Sequence, residues 1–242
     1  MLVSLIRMGL SPKEIAYYGA IMLFALMLSF SIHEFMHAFV ADRLGDPTPR
    51  NMGRLTLNPI NHLDITGTIL LLVAGFGWGK PVMYNPNRLN KLKSPRLMNI
   101  MVHLAGVTGN FFLALICGII ATVISGLSSG RIDPNSNAYI AITTVVLAFS
   151  YTQSFSLMLL AFNLLPIPPL DGFHVLEELL PYRIRSKEGY RKFEMVAPYG
   201  IWVLFILSYS TGLNLLSDII NLIELPFALL ITAICNLVGL LF

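Results

Sequence analysis

In the stretch LMLSFSIHEFMHAFVADRLG, Leu26 to Gly45, two histidines stand four residues apart with a glutamate directly after the first: His33, Glu34 and His37. On a helix this spacing brings both imidazoles to one face, where they can grip a single metal ion, and sets Glu34 about 100° around the axis. A carboxylate so placed can take a proton from water that the metal has made acidic. The chemistry is metal-assisted hydrolysis, and zinc is the metal that suits the pattern. Hydrolysis consumes water, yet this stretch is among the most apolar in the chain.

Zinc hydrolases normally use three protein ligands and keep a fourth place open. Downstream, AFNLLPIPPLDGFHVLEELLP, Ala161 to Pro181, carries Pro166, Pro168 and Pro169 inside an otherwise helical apolar stretch, and Asp171 follows them. The prolines free carbonyls that lipid cannot satisfy. A broken helix bearing a carboxylate is what the second wall of a hydrated metal site requires, and an oxygen ligand suits zinc beside two histidine nitrogens. His174, one turn beyond Asp171, competes for that role, but is read as a group beside the ligands or at the interface. His62, with Asp64, reads as a turn or local hydrogen-bond site, and His103 as interfacial polarity. Glu177 and Glu178 are expected to face solvent or headgroups, and Asp42 and Arg43 to anchor a helix end. Asn110 and Asn163 lie in apolar surroundings. Two readings stay open for each: an interhelical hydrogen bond, or a donor to the scissile carbonyl or its oxyanion.

The elements that must position these groups are membrane helices. The chain has 242 residues, 55% of them hydrophobic and 12% charged, with a mean hydropathy of +0.71, against a charged fraction of about 25% in soluble domains. Apolar runs cover residues 15–41, 97–127, 138–165, 195–211 and 219–242. A bilayer core takes roughly 20 helical residues to cross, so five spans are expected. The first run continues through the His-Glu motif without a small-residue cleavage site and is read as a retained helix. Ionisable side chains at the bilayer centre cost about 2.5–3.5 kcal/mol each on insertion scales and usually line a polar cavity.

Charge gives orientation. The net charge of +3 comes from basic residues dispersed over loops, which gives no sign of a nucleic-acid partner. Of sixteen Lys and Arg, eight lie from Arg43 to Arg96 and five from Arg183 to Lys192, leaving Arg7, Lys13 and Arg131. The positive-inside rule makes the two rich loops cytoplasmic, the N-terminus external and, with five spans, the C-terminus cytoplasmic. His33 and His37 then sit in the inner half of the first span. Cys117 and Cys235 fall in apolar helices and read as buried thiols.

No repeat, low-complexity segment or separate soluble domain is visible. The expected fold class is an all-α polytopic membrane protein of about five transmembrane helices with a small membrane-associated β-hairpin or re-entrant segment. Residues 1–242 form one domain, and residues 45–95 its cytoplasmic-side loop. Within that loop Ile69 to Ala74 is too short to span a bilayer, and Gly75, Gly77, Gly79 and Pro81 punctuate the residues after it.

With His33-Glu34-Phe35-Met36-His37 in the first span and NLLPIPPLDG in the third, the sequence resembles the site-2 protease family of intramembrane zinc metalloproteases. It is similar to the compact prokaryotic type without a PDZ module or a nucleotide-sensing domain. The resemblance covers most of the chain. It implies cleavage of a transmembrane helix, usually of a membrane-anchored regulator, within the bilayer or at its cytoplasmic edge. It implies one Zn2+ per chain held by His33, His37 and Asp171, with Glu34 as general base. Gly106 and Asn110 match the family's glycine-x-x-x-asparagine element, with Val107 where a proline often stands. Asn163 matches the asparagine that precedes the aspartate motif and is similarly placed to contact substrate. The segment GFGWGKPV resembles the family's membrane-embedded hairpin, whose edge strand receives an unwound substrate. By that likeness Gly77, Trp78, Gly79, Lys80, Pro81 and Val82 would supply its backbone partners. The implied setting is a prokaryotic cytoplasmic membrane, and the implied partners are the bilayer and a transmembrane protein or peptide. Oligomeric state is left open. The alternative is a metal-ion transporter or metal sensor without hydrolysis, but a transporter should spread polar residues along a pathway, whereas these concentrate at one depth.

Overall fold

The structure, a computed structural model, describes residues 2–74, 79–211 and 214–242. Its helices are α1 (Leu2–Arg7), α2 (Pro12–Arg43), α3 (Thr48–Asn51), α4 (Ile65–Ala74), α5 (Pro95–Ser128), α6 (Asn137–Asn163), α7 (Asp171–Leu179), α8 (Tyr182–Arg185), α9 (Glu188–Val196), α10 (Tyr199–Thr211) and α11 (Leu215–Gly239). The long ones start where local chemistry says they should. Ser11 and Glu14 form a reciprocal capping box ahead of α2, with Pro12 in the first turn. Ser94 accepts the Leu97 N–H and Pro95 opens α5, while Ser136 accepts the Tyr139 N–H at the head of α6.

Among the described residues, four helices, α2, α5, α6 and α11, are long and apolar enough to cross a membrane. At 32 and 34 residues α2 and α5 exceed the roughly 20 that a bilayer core requires, so each extends beyond it. Their outward residues, such as Phe24, Phe112 and Ile116, are exposed in the bundle and suited to lipid, as is Leu229 of α11. The protein is an integral membrane protein.

Two expectations are not confirmed by the described residues. The count of five spans is not reached by the described helices. The apolar run 195–211 is interrupted by Pro198, between the end of α9 and the start of α10, because proline has no N–H with which to carry the α9 ladder onward. Beyond that proline α10 has 13 residues, about 20 Å of helix. The expected β-hairpin is also not found: among the described residues there is one isolated antiparallel bridge, Leu63 with Gly79, and no strand. The apolar part of that loop is instead the ten-residue helix α4, started by Asp64, whose carboxylate accepts the Gly67 N–H at 2.9 Å. A side-chain cap and uninterrupted apolar residues favour helix there, and Pro81 denies a donor to any ladder beyond. Gly77 and Trp78 lie outside the described residues.

The bundle is organised around α5, which packs against α2, α6, α7 and α11. Without water to drive association, membrane helices approach through small residues and a few hydrogen bonds. Ala105, Gly106, Gly109, Ala114, Gly118 and Ala121 of α5 are buried in these contacts. Between α2 and α6, Ser156 donates to Ser29 at 2.9 Å, and both are fully buried.

The loop between α2 and α5 returns over the bundle and is tied down by main-chain donors. Lys80 N–H donates to His62 O at 2.7 Å, Val82 N–H to Glu34 Oε2 at 3.0 Å, and Asn85 N–H to Asp46 Oδ2 at 2.6 Å. Asp46 is fully buried, and its other oxygen takes the Thr48 N–H and hydroxyl. Removing this carboxylate strands three donors. Asp46→Ala is expected to lower stability by on the order of 3 kcal/mol, read as a lower unfolding midpoint in detergent together with faster proteolysis within residues 79–90.

Candidate metal centre

His33 and His37, one turn apart on α2, face the first residue of α7. His33 Nε2 lies 3.3 Å and His37 Nε2 3.2 Å from Asp171 Oδ2, and the two nitrogens are 3.1 Å from each other. Among the described residues, these form the group that could hold a metal ion. His33 is buried, and His37 and Asp171 are nearly so. Although Asp171 Oδ2 is close to both rings, it has no hydrogen-bond partner. It approaches both rings without the alignment a hydrogen bond needs, whereas the two Nε2 atoms are in hydrogen-bonding geometry with each other.

The tautomer of His37 is set by the group behind it. Its Nδ1 is 2.8 Å from Val102 O, and a carbonyl can only accept, so Nδ1 carries a hydrogen and, in the neutral ring, Nε2 keeps its lone pair on the Asp171 side. α5 comes this close because of Gly106. A β carbon there would strike His37 Nε2 and come within 2.6 Å of His33 Cε1 and 2.7 Å of His33 Nδ1. Val102, Gly106 and Asn110 stand at successive four-residue steps on one face of α5 and back both imidazoles. Val107, at the place where a proline often stands in the resembling family, leaves α5 continuous from Pro95 to Ser128.

Asp171 reaches the histidines because α6 stops at Asn163 and α7 begins afresh. The freed carbonyls are covered by protein: a β carbon on Gly172 would collide with Leu164 O and approach Leu165 O to 2.8 Å. The apolar side of the break, Leu165, Ile167 and Leu170, packs against Leu216, Ile220 and Ile223 of α11.

The other expected residues take varied places. Glu34 is buried, with its carboxylate accepting from Val82 N–H. Asn110 is fully buried, its Nδ2 3.4 Å from His33 Nδ1. The Asn163 amide donates within its own helix to Leu159 O at 2.9 Å. Lys80 and Val82 are held through their main-chain N–H groups by His62 O and Glu34, and Gly79 forms the bridge to Leu63. His174 lies outside the converging trio, stacked on His103 with ring centroids 4.8 Å apart. His62 is a local hydrogen-bond site, its Nε2 2.8 Å from Thr56 O.

A second layer escaped the sequence reading. His103 Nδ1 is 3.9 Å from Asp171 Oδ1, and its Nε2 is 3.0 Å from the Tyr84 hydroxyl. Asn99, near Tyr84, donates to Glu178 at 2.9 Å. Burial and then the carboxylates of Glu178, Asp171 and Asp46 push the Tyr84 phenol well above its ordinary pKa, so it stays protonated. Burial and the neighbouring His103 lower that of His174. The one available signal was that His103 falls three residues before Gly106 on a helix, the kind of spacing that shares a face.

Residues 21–207 match the model of peptidase family M50. The chain belongs to peptidase family M50. Among curated relatives described as a "putative zinc metalloprotease", YwhC of Bacillus subtilis is 39% identical over 189 residues, 78% of this chain and 80% of the relative. Rip2 of Mycobacterium tuberculosis is 31% identical over 214 residues, 84% of this chain and 74% of the relative. Rip2 of Mycolicibacterium smegmatis is 28% identical over 209 residues, 84% and 72% respectively. No solved structure matches the chain significantly. This M50 protein is an intramembrane zinc metalloprotease, and regulated intramembrane proteolysis is the general role of its family.

The donor set fits zinc. Ligands about 2.0–2.2 Å from a tetrahedral zinc stand about 3.3–3.6 Å apart, close to the observed triangle of 3.1, 3.2 and 3.3 Å. An unpartnered buried carboxylate oxygen facing an imidazole lone pair calls for a cation between them. One aspartate and one glutamate also balance the charge of a divalent ion. In the M50 chain Gly106→Ala should displace the imidazoles from this triangle and weaken zinc binding on the order of ten-fold or more, measured as zinc retained per chain during dialysis against a graded chelator.

Proposed function

We propose that His33, His37 and Asp171 hold the zinc and that Glu34 is the general base for hydrolysis of a peptide bond in a transmembrane segment. The observation that carries the reading is the convergence of two imidazole nitrogens and a carboxylate oxygen, with Glu34 the residue next to one of the imidazoles. Zinc bound there supplies Lewis acidity, which acidifies water and polarises a carbonyl. Glu34, fixed by the Val82 N–H, accepts a proton at its carboxylate as water attacks, then passes it to the leaving amine. To hold the zinc, His33 and His37 would direct their Nε2 lone pairs inward.

A helical peptide bond is shielded by its own hydrogen bonds, so substrate must unwind before attack. We place the receiving edge at residues 79–83. In an extended segment, alternate residues turn their main-chain groups to opposite sides. Lys80 and Val82 donate inward, which leaves Gly79, Pro81 and Met83 facing the other way, Pro81 with a carbonyl only. Gly77 and Trp78, expected at the same edge, lie outside the described residues. The oxyanion role considered for Asn110 and Asn163 would need amides that are now at His33 Nδ1 and Leu159 O. Substrates with helix-weakening residues near the cut are favoured on this reading.

The concentration of Lys and Arg in residues 43–96 and 183–192 supports a site toward the cytoplasmic face and an external N-terminus. A cytoplasmic C-terminus would result if α9 and α10 together complete a fifth passage. The substrate class is a single-span membrane protein.

Glu34→Gln is expected to keep one zinc per chain while cleavage of a transmembrane peptide in proteoliposomes falls by about 10²-fold or more, of the order a lost general base produces. Asp171→Asn should lose both zinc and cleavage. Metal flux that survives Glu34→Gln, in the absence of cleavage by the unmodified chain, would overturn the protease reading in favour of transport.

A further inference from the structure

The histidines need more than a place to stand. To bind a metal through Nε2, a neutral imidazole must carry its hydrogen on Nδ1, and in a buried site that N–H must find an acceptor. For His37 the acceptor is Val102 O. His33 has its Nδ1 turned into the same α2–α5 contact, where the group it meets is the amide of Asn110, 3.4 Å away.

Two observations bear on how that amide works. With Nδ2 against His33, the imidazole Nδ1 would have to accept, and the hydrogen would pass to Nε2, 3.1 Å from His37 Nε2 and 3.3 Å from Asp171 Oδ2. That hydrogen would occupy the lone pair the metal requires. Independently, Asn110 Oδ1 is a buried acceptor with no partner. The two ends of an amide have nearly the same shape, so the same contact fits Oδ1 facing the ring. Oδ1 then accepts the Nδ1–H of His33, and Nε2 becomes a lone pair aimed at the triangle. The NH2 end takes the position Oδ1 held, where no protein group donates. The tautomer decides between the two arrangements, because a ligating nitrogen cannot carry a hydrogen.

Resting on the assignment of His33 as a ligand, we propose that Asn110 is a positioning residue whose side-chain oxygen accepts from His33 Nδ1 and fixes the metal-binding tautomer. On this account the α5 face Val102, Gly106, Asn110 is one device: an acceptor behind each ligand histidine and, between them, a residue without a β carbon that lets both rings approach. The role differs from that of an oxyanion donor, which would use the NH2 and would act on substrate.

The distinction can be tested with two variants of the full chain purified in detergent. Asn110→Leu keeps the shape and removes the acceptor. Asn110→Asp keeps acceptors and removes the donor. Zinc affinity is measured by competition with a chromophoric chelator, Co2+ absorption in place of zinc reports ligand geometry, and unfolding of the zinc-free protein serves as the control for folding. The expected result is zinc affinity about 10- to 100-fold weaker in Asn110→Leu with altered Co2+ bands, and affinity within about threefold of the unmodified chain in Asn110→Asp, a carboxylate being a customary partner of a ligating histidine. Should Asn110→Leu unfold without zinc, affinity retained by Asn110→Asp still supports the acceptor role and affinity lost by it overturns that role. If both variants bind zinc normally and lose only turnover, Asn110 is a donor to substrate and the proposal is wrong. Failure of the underlying ligand set is separately visible: the unmodified chain would then bind zinc no better than His33→Ala.

Discussion

Two imidazoles on one helix can share a metal only while both turn Nε2 inward, and that orientation must be held from behind. In water the hydrogen on Nδ1 would always find an acceptor; among apolar helices the protein must supply it. α5 comes near enough because Gly106 has no side chain, and it brings Val102 O to one ring and Asn110 to the other. The α2–α5 approach is therefore the constraint on which the remaining geometry depends. It accounts for small residues along α5, for the burial of His33, and for the central place of α5 among its four partners. Elsewhere in the bundle a larger residue at a helix contact would cost packing; here it would move the two imidazoles.

Asp171, the proposed third ligand, has to arrive from another direction. Had α6 continued as a helix, Asp171 would lie about 12 Å further along its axis than Asn163, with no reason to turn toward α2. The prolines stop α6, and α7 starts anew against α5 with Asp171 in its first turn. Such a break exposes carbonyls where no water is available, so it persists only under cover. Gly172 lets the head of α7 press against Leu164 O and Leu165 O, while α11 closes the apolar side. The same short segment thus ends one helix, orients a carboxylate and buries its own backbone.

What the sequence disclosed is what depends on local pattern. The pairing of His33 with His37 is a matter of helical spacing, and the prolines before Asp171 announce a break whatever the surroundings. That both meet was an inference from chemistry, since nothing local relates His33 to an aspartate 138 residues further along the chain. The expectation of a β-hairpin or re-entrant segment rests on glycine and proline after Ala74 and gives no weight to the cap at Asp64 that starts α4. The fifth span was counted from hydropathy, which does not register that Pro198 divides the run. His103, Tyr84 and Asp46 went unrecognised for a common reason: each acts through a partner from a distant part of the chain, and each alone resembles ordinary polarity at a helix end.

Hydrolysis inside a membrane requires polar groups to be organised before substrate arrives, since unpaired ones are costly there and water cannot be relied on to serve them. Around this centre the pairings are specific: Val82 N–H on Glu34, Val102 O on His37, Tyr84 on His103, and Asp46 on the chain that returns over the site. Against that background, Asp171 Oδ2 and Asn110 Oδ1 are buried without a protein partner, and both lie at the junction of α2, α5 and α7. One faces the two Nε2 atoms, and the other belongs to the side chain behind His33. Unsatisfied acceptors on opposite sides of the same imidazole are a costly arrangement for a purely structural contact. With the Asn110 amide turned so that Oδ1 meets a hydrogen on His33 Nδ1, a cation beside Asp171 Oδ2 would leave both acceptors satisfied, and that hydrogen makes the cation's place possible.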